Sequence, residues 1–309
     1  MYLKMPISNI SHQEWLRLRK TGIGGSDVGA LLGYNPYSSP MKVFYDKTSD
    51  EIEETDNEAA RQGRDLENYV AERFMEATGL KVRRSNYMYR SKEHSFMLAD
   101  VDRLVVGEDA GLECKTASAY NSDKWKNGEI PLHYVLQCYH YMAVTGKKAW
   151  YLAAVILGRE FVYYKLEWDD EIIAKLIKAE ETFWNDYVLT GIMPPPDGSK
   201  TCDEILEAYF HTVKKASAIE LVGFDEKLSR RSEILSEIEL LQKEQNQIEQ
   251  EIKVYMAENE LAENEKYKVS WSSVVSKRLD SKRLQLEKPE VYQAYLKEGS
   301  SRRFTIRAA

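Results

Sequence analysis

The central third of the chain is organised by the spacing of its apolar positions. Residues 98–106 (Leu-Ala-Asp-Val-Asp-Arg-Leu-Val-Val) and 111–116 (Gly-Leu-Glu-Cys-Lys-Thr) are rich in strand-forming residues and flank a Gly/Glu/Asp cluster, predicting two strands around a turn. Two further strands are predicted over 149–156 and 160–166, and one near 81–89. Helical spacing marks the rest. Residues 11–20 follow Ser11, with Glu14 three positions on as a capping box. Ser26 is placed to cap a short second helix after Gly22-Ile23-Gly24-Gly25. Residues 58–77 carry Leu66, Tyr69, Val70 and Phe74 on one face, with Glu67 beside that stripe. A helix after Pro131 aligns Tyr134, Gln137, Cys138 and Tyr141. A long amphipathic helix over 169–189 then precedes Pro194-Pro195-Pro196.

Beyond the prolines the period changes. Over 225–258, Ile234, Ile238, Leu241, Ile248, Ile252 and Tyr255 recur at alternating four- and three-residue steps, with Gln245 as one polar member, which is a coiled-coil seam. The helix expected over 203–221 is the favoured partner, in an intramolecular hairpin, and another chain is the alternative. Residues 267–276 read as a strand or hairpin before a basic helix. The predicted architecture is α/β, with a mixed central sheet flanked by helices and a mainly helical C-terminal extension. Residues 1–198 form the first domain and 199–309 the second.

Charge sharpens this division. The net charge of −7 argues against a nucleic-acid partner only as an average. Residues 201–265 hold seven basic against sixteen acidic residues, and 266–309 hold eleven against four. The basic tail, with Trp271, Lys277, Arg278, Lys282, Arg283, Arg302, Arg303 and Arg307, is either a DNA-backbone contact or a solvated face balancing the acidic helix. The three cysteines lack CxxC spacing, and the five histidines form no ligand cluster, so neither a zinc site nor a disulfide framework is expected. No window is apolar enough for a signal peptide or a membrane span, and a cytoplasmic protein is expected.

The candidate chemistry lies on the central strands. With a strand period of two, Glu113 and Lys115 project from one face beside an acid of the preceding strand. Two carboxylates and an ammonium suit Mg²⁺-assisted phosphodiester hydrolysis, in which the lysine orients or deprotonates the attacking water. The same residues could instead form an ordinary solvated salt bridge. The glycine turn before Ser26 could seat a phosphate, or be a turn and nothing more.

Taken in order, Trp15…Arg19-x₂-Gly22…Gly25-Ser26, the helix acid Glu67, Asp102…Glu113-x-Lys115 and Pro131…Tyr134-x₂-Gln137 resemble the YqaJ-type viral recombinase nucleases. These are relatives of phage lambda exonuclease within the PD-(D/E)xK superfamily. The resemblance covers about residues 10–195 and implies a restriction-endonuclease-like core. It implies that Asp102, Glu113 and the backbone carbonyl of Cys114 ligate Mg²⁺, with Mn²⁺ able to substitute and two ions expected, and that Glu67 contributes directly or through water. Lys115 would lie near the scissile phosphate, Gln137 would steady the water or Lys115, and Arg19 and Ser26 would grip a 5′-terminal phosphate. The implied activity is 5′-to-3′ degradation of linear double-stranded DNA, leaving 3′ overhangs for a single-strand annealing protein in phage-type recombination. A homotrimeric ring around the DNA is part of the same expectation. Val101 and Arg103 depart from the superfamily's frequent proline and glycine, and Asp100 competes with Asp102 for the metal role. An endonuclease of the same superfamily, or a non-catalytic DNA-binding or scaffold protein, are the alternatives.

Overall fold

A computed structural model describes residues 2–51, 57–211, 218–297 and 302–307. The first unit spans Met1–Thr212 and the second Val213–Ala309. The division falls later than 198/199, because the helix after the prolines belongs with the first unit.

In chain order the first unit comprises β1 (Tyr2–Pro6), α1 (His12–Lys20), α2 (Gly25–Leu31), α3 (Pro40–Thr48), α4 (Glu58–Thr78), β2 (Val82–Arg84), β3 (Tyr87–Ser91), β4 (Leu98–Asp100), β5 (Arg103–Val105), β6 (Ala110–Ala117), α5 (Leu132–Thr145), β7 (Ala149–Ile156), β8 (Glu160–Glu167), α6 (Asp170–Phe183) and α7 (Lys200–Tyr209). The second comprises α8 (Asp225–Met256), β9 (Leu261–Glu263), β10 (Lys268–Ser270), α9 (Ser281–Glu287) and α10 (Pro289–Ala294).

The central sheet runs β2-β5-β6-β7-β8, with β6 and β7 parallel and the other neighbours antiparallel. Its two faces are covered differently. Trp150, Leu152, Ala154 and Ile156 of β7 join the core on the α5 and α6 side, while Tyr151 and Ala153 join Val70 and Phe74 of α4. Because β6 and β7 are in register, Glu113 stands beside Leu152 and Lys115 beside Ala154, on the α5 side. Leu112 faces α4. Gly111 lies beside Trp150, where a Cβ would come within 2.4 Å of the indole ring.

The strand expected over 98–106 is broken at Val101–Asp102, because the chain changes sheets there. β4 pairs with β3 in a separate sheet of order β1-β3-β4, whereas β5 pairs with β2 and β6. The strand expected near 81–89 likewise divides into β2 and β3, one in each sheet. Ser11 and Glu14 form the expected capping box. Ser26 does not cap α2: Gly24 occupies the N-cap, and the Asp27 carboxylate accepts its N–H at 2.8 Å. Tyr69 is 42% exposed, so the buried stripe of α4 runs through Val70, Ala71 and Phe74. The long helix before the prolines is regular to Phe183 and ends in a π-helical turn over Trp184–Val188.

The helix expected over 203–221 is instead α7, which ends at Tyr209 and buries Cys202 and Ile205 against Met41. Residues 212–217 of that expected helix lie outside the described residues. Within the first unit the apolar side of α7 is occupied, and within the second unit the α8 seam is exposed, from 36% at Ile252 to 65% at Leu241 across its Ile and Leu positions. β9 and β10 form an antiparallel hairpin, and α9 carries Lys282 and Arg283.

Candidate nuclease site

The break at Val101–Asp102 creates the site. Pairing between β5 and β6 ends at Arg103 and Leu112, so the next outward amide of β6, that of Cys114, has no strand partner on that side. Its N–H donates instead to Asp102 Oδ2 at 2.8 Å. The N–H and C=O of one strand residue leave the strand on the same side, so the Cys114 carbonyl faces the same gap.

Across this gap, Lys115 Nζ lies 2.5 Å from Glu113 Oε1, which also accepts from Gln137 Nε2 at 2.7 Å. Gln137 Nε2 donates to the Tyr141 hydroxyl as well, at 2.8 Å. The other oxygen, Glu113 Oε2, is buried without a hydrogen-bond partner among the described residues. Burial, together with the nearby Glu113 and Glu67 carboxylates, pushes the Asp102 pKa well above its ordinary value. Burial pushes Glu113 up too, against the pull of Lys115. Burial opposes charge on Lys115, but Glu113 and Asp102 outweigh it and raise its pKa, so the side chain is an ammonium. That ammonium stands 4.8 Å from the centre of the Tyr134 ring, over its face.

Glu67 approaches from α4, where it pairs with buried Arg103 and lies 3.6 Å from Arg84 Nη2. Arg103, which stands where the superfamily frequently has glycine, is thus a structural cation that holds Glu67 and also donates to the Asp102 carbonyl at 2.9 Å. Glu67, Arg84, Asp100 and Asp102 line one open groove.

Arg19 and Ser26 come together as expected. Arg19 Nη2 donates to Ser26 Oγ at 2.9 Å, and its guanidinium lies 4.9 Å from the Trp15 ring centre. They line a cavity of about 140 Å³ with Gly24, Gly25, Asp100 and Tyr141 among its other walls. Asp100 accepts from Trp15 Nε1 at 2.8 Å, which ties it to this cavity, while Asp102 faces β6. Tyr141 belongs to both places, closing the cavity and bonding Gln137. The fit there is close: a Cβ on Gly25 would lie 2.6 Å from the Tyr141 ring and 2.9 Å from Gln137 Cγ. Sequence periodicity had put Tyr141 on the Gln137 side of its helix, but its contact with Gly25 joins residues over a hundred positions apart.

His133 and His140 are separate. Burial and then Lys115 lower the His133 pKa to about 4, so its ring is neutral near pH 7. His140 is fully buried, with Nδ1 2.8 Å from Glu180 Oε1 and Nε2 2.7 Å from the Leu98 carbonyl. The Cys114 and Cys138 thiols are pushed well above their usual pKa, first by burial and then by the neighbouring carboxylates.

The residues fit a divalent cation by their chemistry. Asp102, Glu113 and the Cys114 carbonyl are hard oxygen donors around one gap, and the second Glu113 oxygen has no hydrogen-bond partner among the described residues. Among the described residues no three His, Cys, Asp or Glu side chains are grouped so that they alone could hold a metal ion.

This arrangement has the fold of the alkaline exonucleases. The crystal structure of LHK-Exo, an alkaline exonuclease from Laribacter hongkongensis, superposes with a TM-score of 0.50 at 19% identity, covering 58% of this chain and 94% of that one. Its complex with dAMP gives 0.51 at 19% identity, over 64% and 97%. Within that class, residues 14–148 match the YqaJ-like viral recombinase domain, and the chain is 41% identical over 305 residues to the uncharacterized protein YqaJ of Bacillus subtilis strain 168, covering 97% of this chain and 95% of the relative. The chain belongs to the YqaJ-like viral recombinase family. None of the described helices is long and apolar enough to cross a membrane.

Proposed function

We propose that this protein is a Mg²⁺-dependent deoxyribonuclease that degrades linear duplex DNA from 5′-phosphorylated ends in the 5′-to-3′ direction. The observation that carries the reading is the shared wall between the two halves of the site. The Arg19–Ser26 cavity and the Asp102/Glu113/Lys115 gap meet at Tyr141 and Gln137. A terminal phosphate held in one half sets which phosphodiester lies in the other.

Asp102, Glu113 and the Cys114 carbonyl would hold the ions, with Glu67 contributing from α4; Mn²⁺ would substitute. Bound there, a divalent cation supplies charge neutralisation at the phosphate and lowers the pKa of water. Arg19 offers paired N–H donors to a terminal phosphate, and Ser26 a hydroxyl. Gln137 fixes the Glu113 carboxylate. Water attacks phosphorus, the P–O3′ bond breaks, and the products are a 5′-phosphate and a 3′-hydroxyl. Lys115, held against Glu113, would orient the water and offset charge on the phosphate. The 3′ overhang would pass to a single-strand annealing protein, and a ring of three copies would keep the enzyme on the duplex.

Digestion of linear duplex DNA with Mg²⁺ tests this, comparing 5′-phosphate with 5′-hydroxyl ends. Lys115→Ala and Asp102→Asn should abolish cleavage, at least a thousandfold. Arg19→Ala should remove the preference for phosphorylated ends while leaving slow cleavage. Equal cleavage of both ends by the wild type would favour an endonuclease, and intact DNA with either Mg²⁺ or Mn²⁺ would favour a binding protein.

A further inference from the structure

We propose that Lys47, a buried lysine of α3, is a positioning residue of the Arg19–Ser26 cavity: it pairs with Asp27 and so leaves Arg19 free to meet a 5′-terminal phosphate. The inference rests on the proposed reading of that cavity as the seat of the phosphate.

Lys47 shares the inward face of α3 with Val43 and Phe44, and its side chain is fully buried. A lysine is costly there unless it is paired. Its Nζ lies 2.7 Å from Asp27 Oδ2 and donates to the Arg19 carbonyl, in the last turn of α1, at 3.2 Å. Asp46 Oδ2 is 3.3 Å away, on a carboxylate that is half exposed. Neither Lys47 nor Asp27 lines the cavity. Both act on groups that do.

Asp27 serves two of these groups. Its Oδ2 accepts the Gly24 N–H, which fixes the glycine turn, and its Oδ1 stands 3.9 Å from Arg19 Nη2. Burial opposes charge on Asp27, but Lys47 and then Arg19 outweigh it and hold its pKa below the ordinary value. Asp27 is therefore a carboxylate, and it competes with any phosphate for the Arg19 guanidinium. Arg19 Nη2 nonetheless donates to Ser26 Oγ at 2.9 Å, with the guanidinium over the Trp15 ring. Lys47 explains this choice. While Lys47 pairs with Asp27, closing the longer contact to Arg19 gains little. Without Lys47, the one remaining ion-pair partner of Asp27 among the described residues is Arg19. A buried carboxylate left in that state draws the guanidinium onto itself, away from Ser26 and the cavity.

The test measures binding by the full chain in EDTA, which withholds divalent cations. A DNA hairpin with one blunt end and fluorescein in its loop is read by anisotropy, its end carrying either a 5′-phosphate or a 5′-hydroxyl. The ratio of the two dissociation constants is taken on one preparation, so an unfolded fraction cancels. The wild type should prefer the phosphorylated end by about tenfold or more, the range of a hydrogen bond to a charged group. Lys47→Met should remove most of that preference. Lys47→Met/Asp27→Asn takes away the competing charge, strands no buried ion and keeps an oxygen for the Gly24 N–H, so it should restore most of the preference. A residue that only supported the fold would lose more with two changes than with one. Wild-type preference in Lys47→Met overturns the proposal and leaves the phosphate reading standing, as does a double variant indifferent to the phosphate. Equal binding of both ends by the wild type removes the phosphate reading and the proposal with it.

Discussion

The buried His140–Glu180 pair makes a quantitative prediction about the support of the site. Both ring nitrogens of His140 face acceptors, Glu180 Oε1 and the Leu98 carbonyl, so α5 is tied at one residue to α6 and to the first residue of β4. Replacing His140 by Leu leaves a carboxylate that is 1% exposed with neither oxygen hydrogen-bonded. Removing one partner of a buried pair costs about 3–5 kcal/mol. For a unit of this size that corresponds to a fall in Tm of roughly 6–20 °C. Replacing both residues by Leu removes the stranded charge, and only the unpaired Leu98 carbonyl remains, at about 1–3 kcal/mol. The double variant should therefore be more stable than His140→Leu. Urea unfolding followed by tryptophan fluorescence measures this in the first unit, since five of the six tryptophans precede residue 213. Burial works against charge on His140, but Glu180 outweighs it and raises its pKa, while burial raises that of Glu180. The folded state thus holds more protons than the unfolded state from about pH 4.3 to beyond the ordinary histidine value of about 6.5. Stability should decline with rising pH across that window in the wild type and lose that contribution in the double variant. A loss below about 1 kcal/mol in His140→Leu, or a double variant as unstable as the two single losses added, would refute the reasoning.

The raised pKa values of Asp102 and Glu113 mean that the metal-free protein loses stability as pH rises above the ordinary carboxylate range, near 4, through the raised folded values. Mg²⁺ or Mn²⁺ should offset this at neutral pH, by about 2.7 kcal/mol at a hundred times Kd, seen as a rise in Tm that Glu113→Gln lacks; an equal rise in the variant would remove Glu113 from the ligand set. Gly25→Ala forces a methyl against Tyr141 and Gln137, at a cost of about 1–3 kcal/mol. A displacement near 1 Å between the two halves of the site should lower turnover on 5′-phosphorylated DNA about a hundredfold, and wild-type turnover would show that their spacing is not set there.

The sequence carried much of this site because its central part is local. Glu113 and Lys115 alternate on one strand, and that strand's position in the sheet follows from the apolar runs around it. Arg19 and Ser26 are only seven residues apart, on the two short helices that flank the glycine turn. The choice between Asp100 and Asp102 was not decidable from strand alternation, since both would share one face of a continuous strand. The structure separates them because the chain passes between two sheets at Val101, which sends Asp100 to Trp15 and Asp102 to the Cys114 amide. The Glu67–Arg103 and His140–Glu180 pairs join positions far apart in sequence, and no periodicity reports such partners. The α8 seam was legible as a seam, but its occupant was not, because heptads specify a complementary helix without saying which chain supplies it.

The recessed thiols have a practical use. Cys138 and Cys202 are buried, and Cys114 is half-buried beside two carboxylates that, with burial, keep its sulfur protonated. Thiolate is the form that maleimides attack, so the native cysteines will label slowly. A cysteine introduced on an exposed helix position becomes the one site that takes a dye, and single molecules can be followed on tethered DNA without first stripping the protein of its own sulfur.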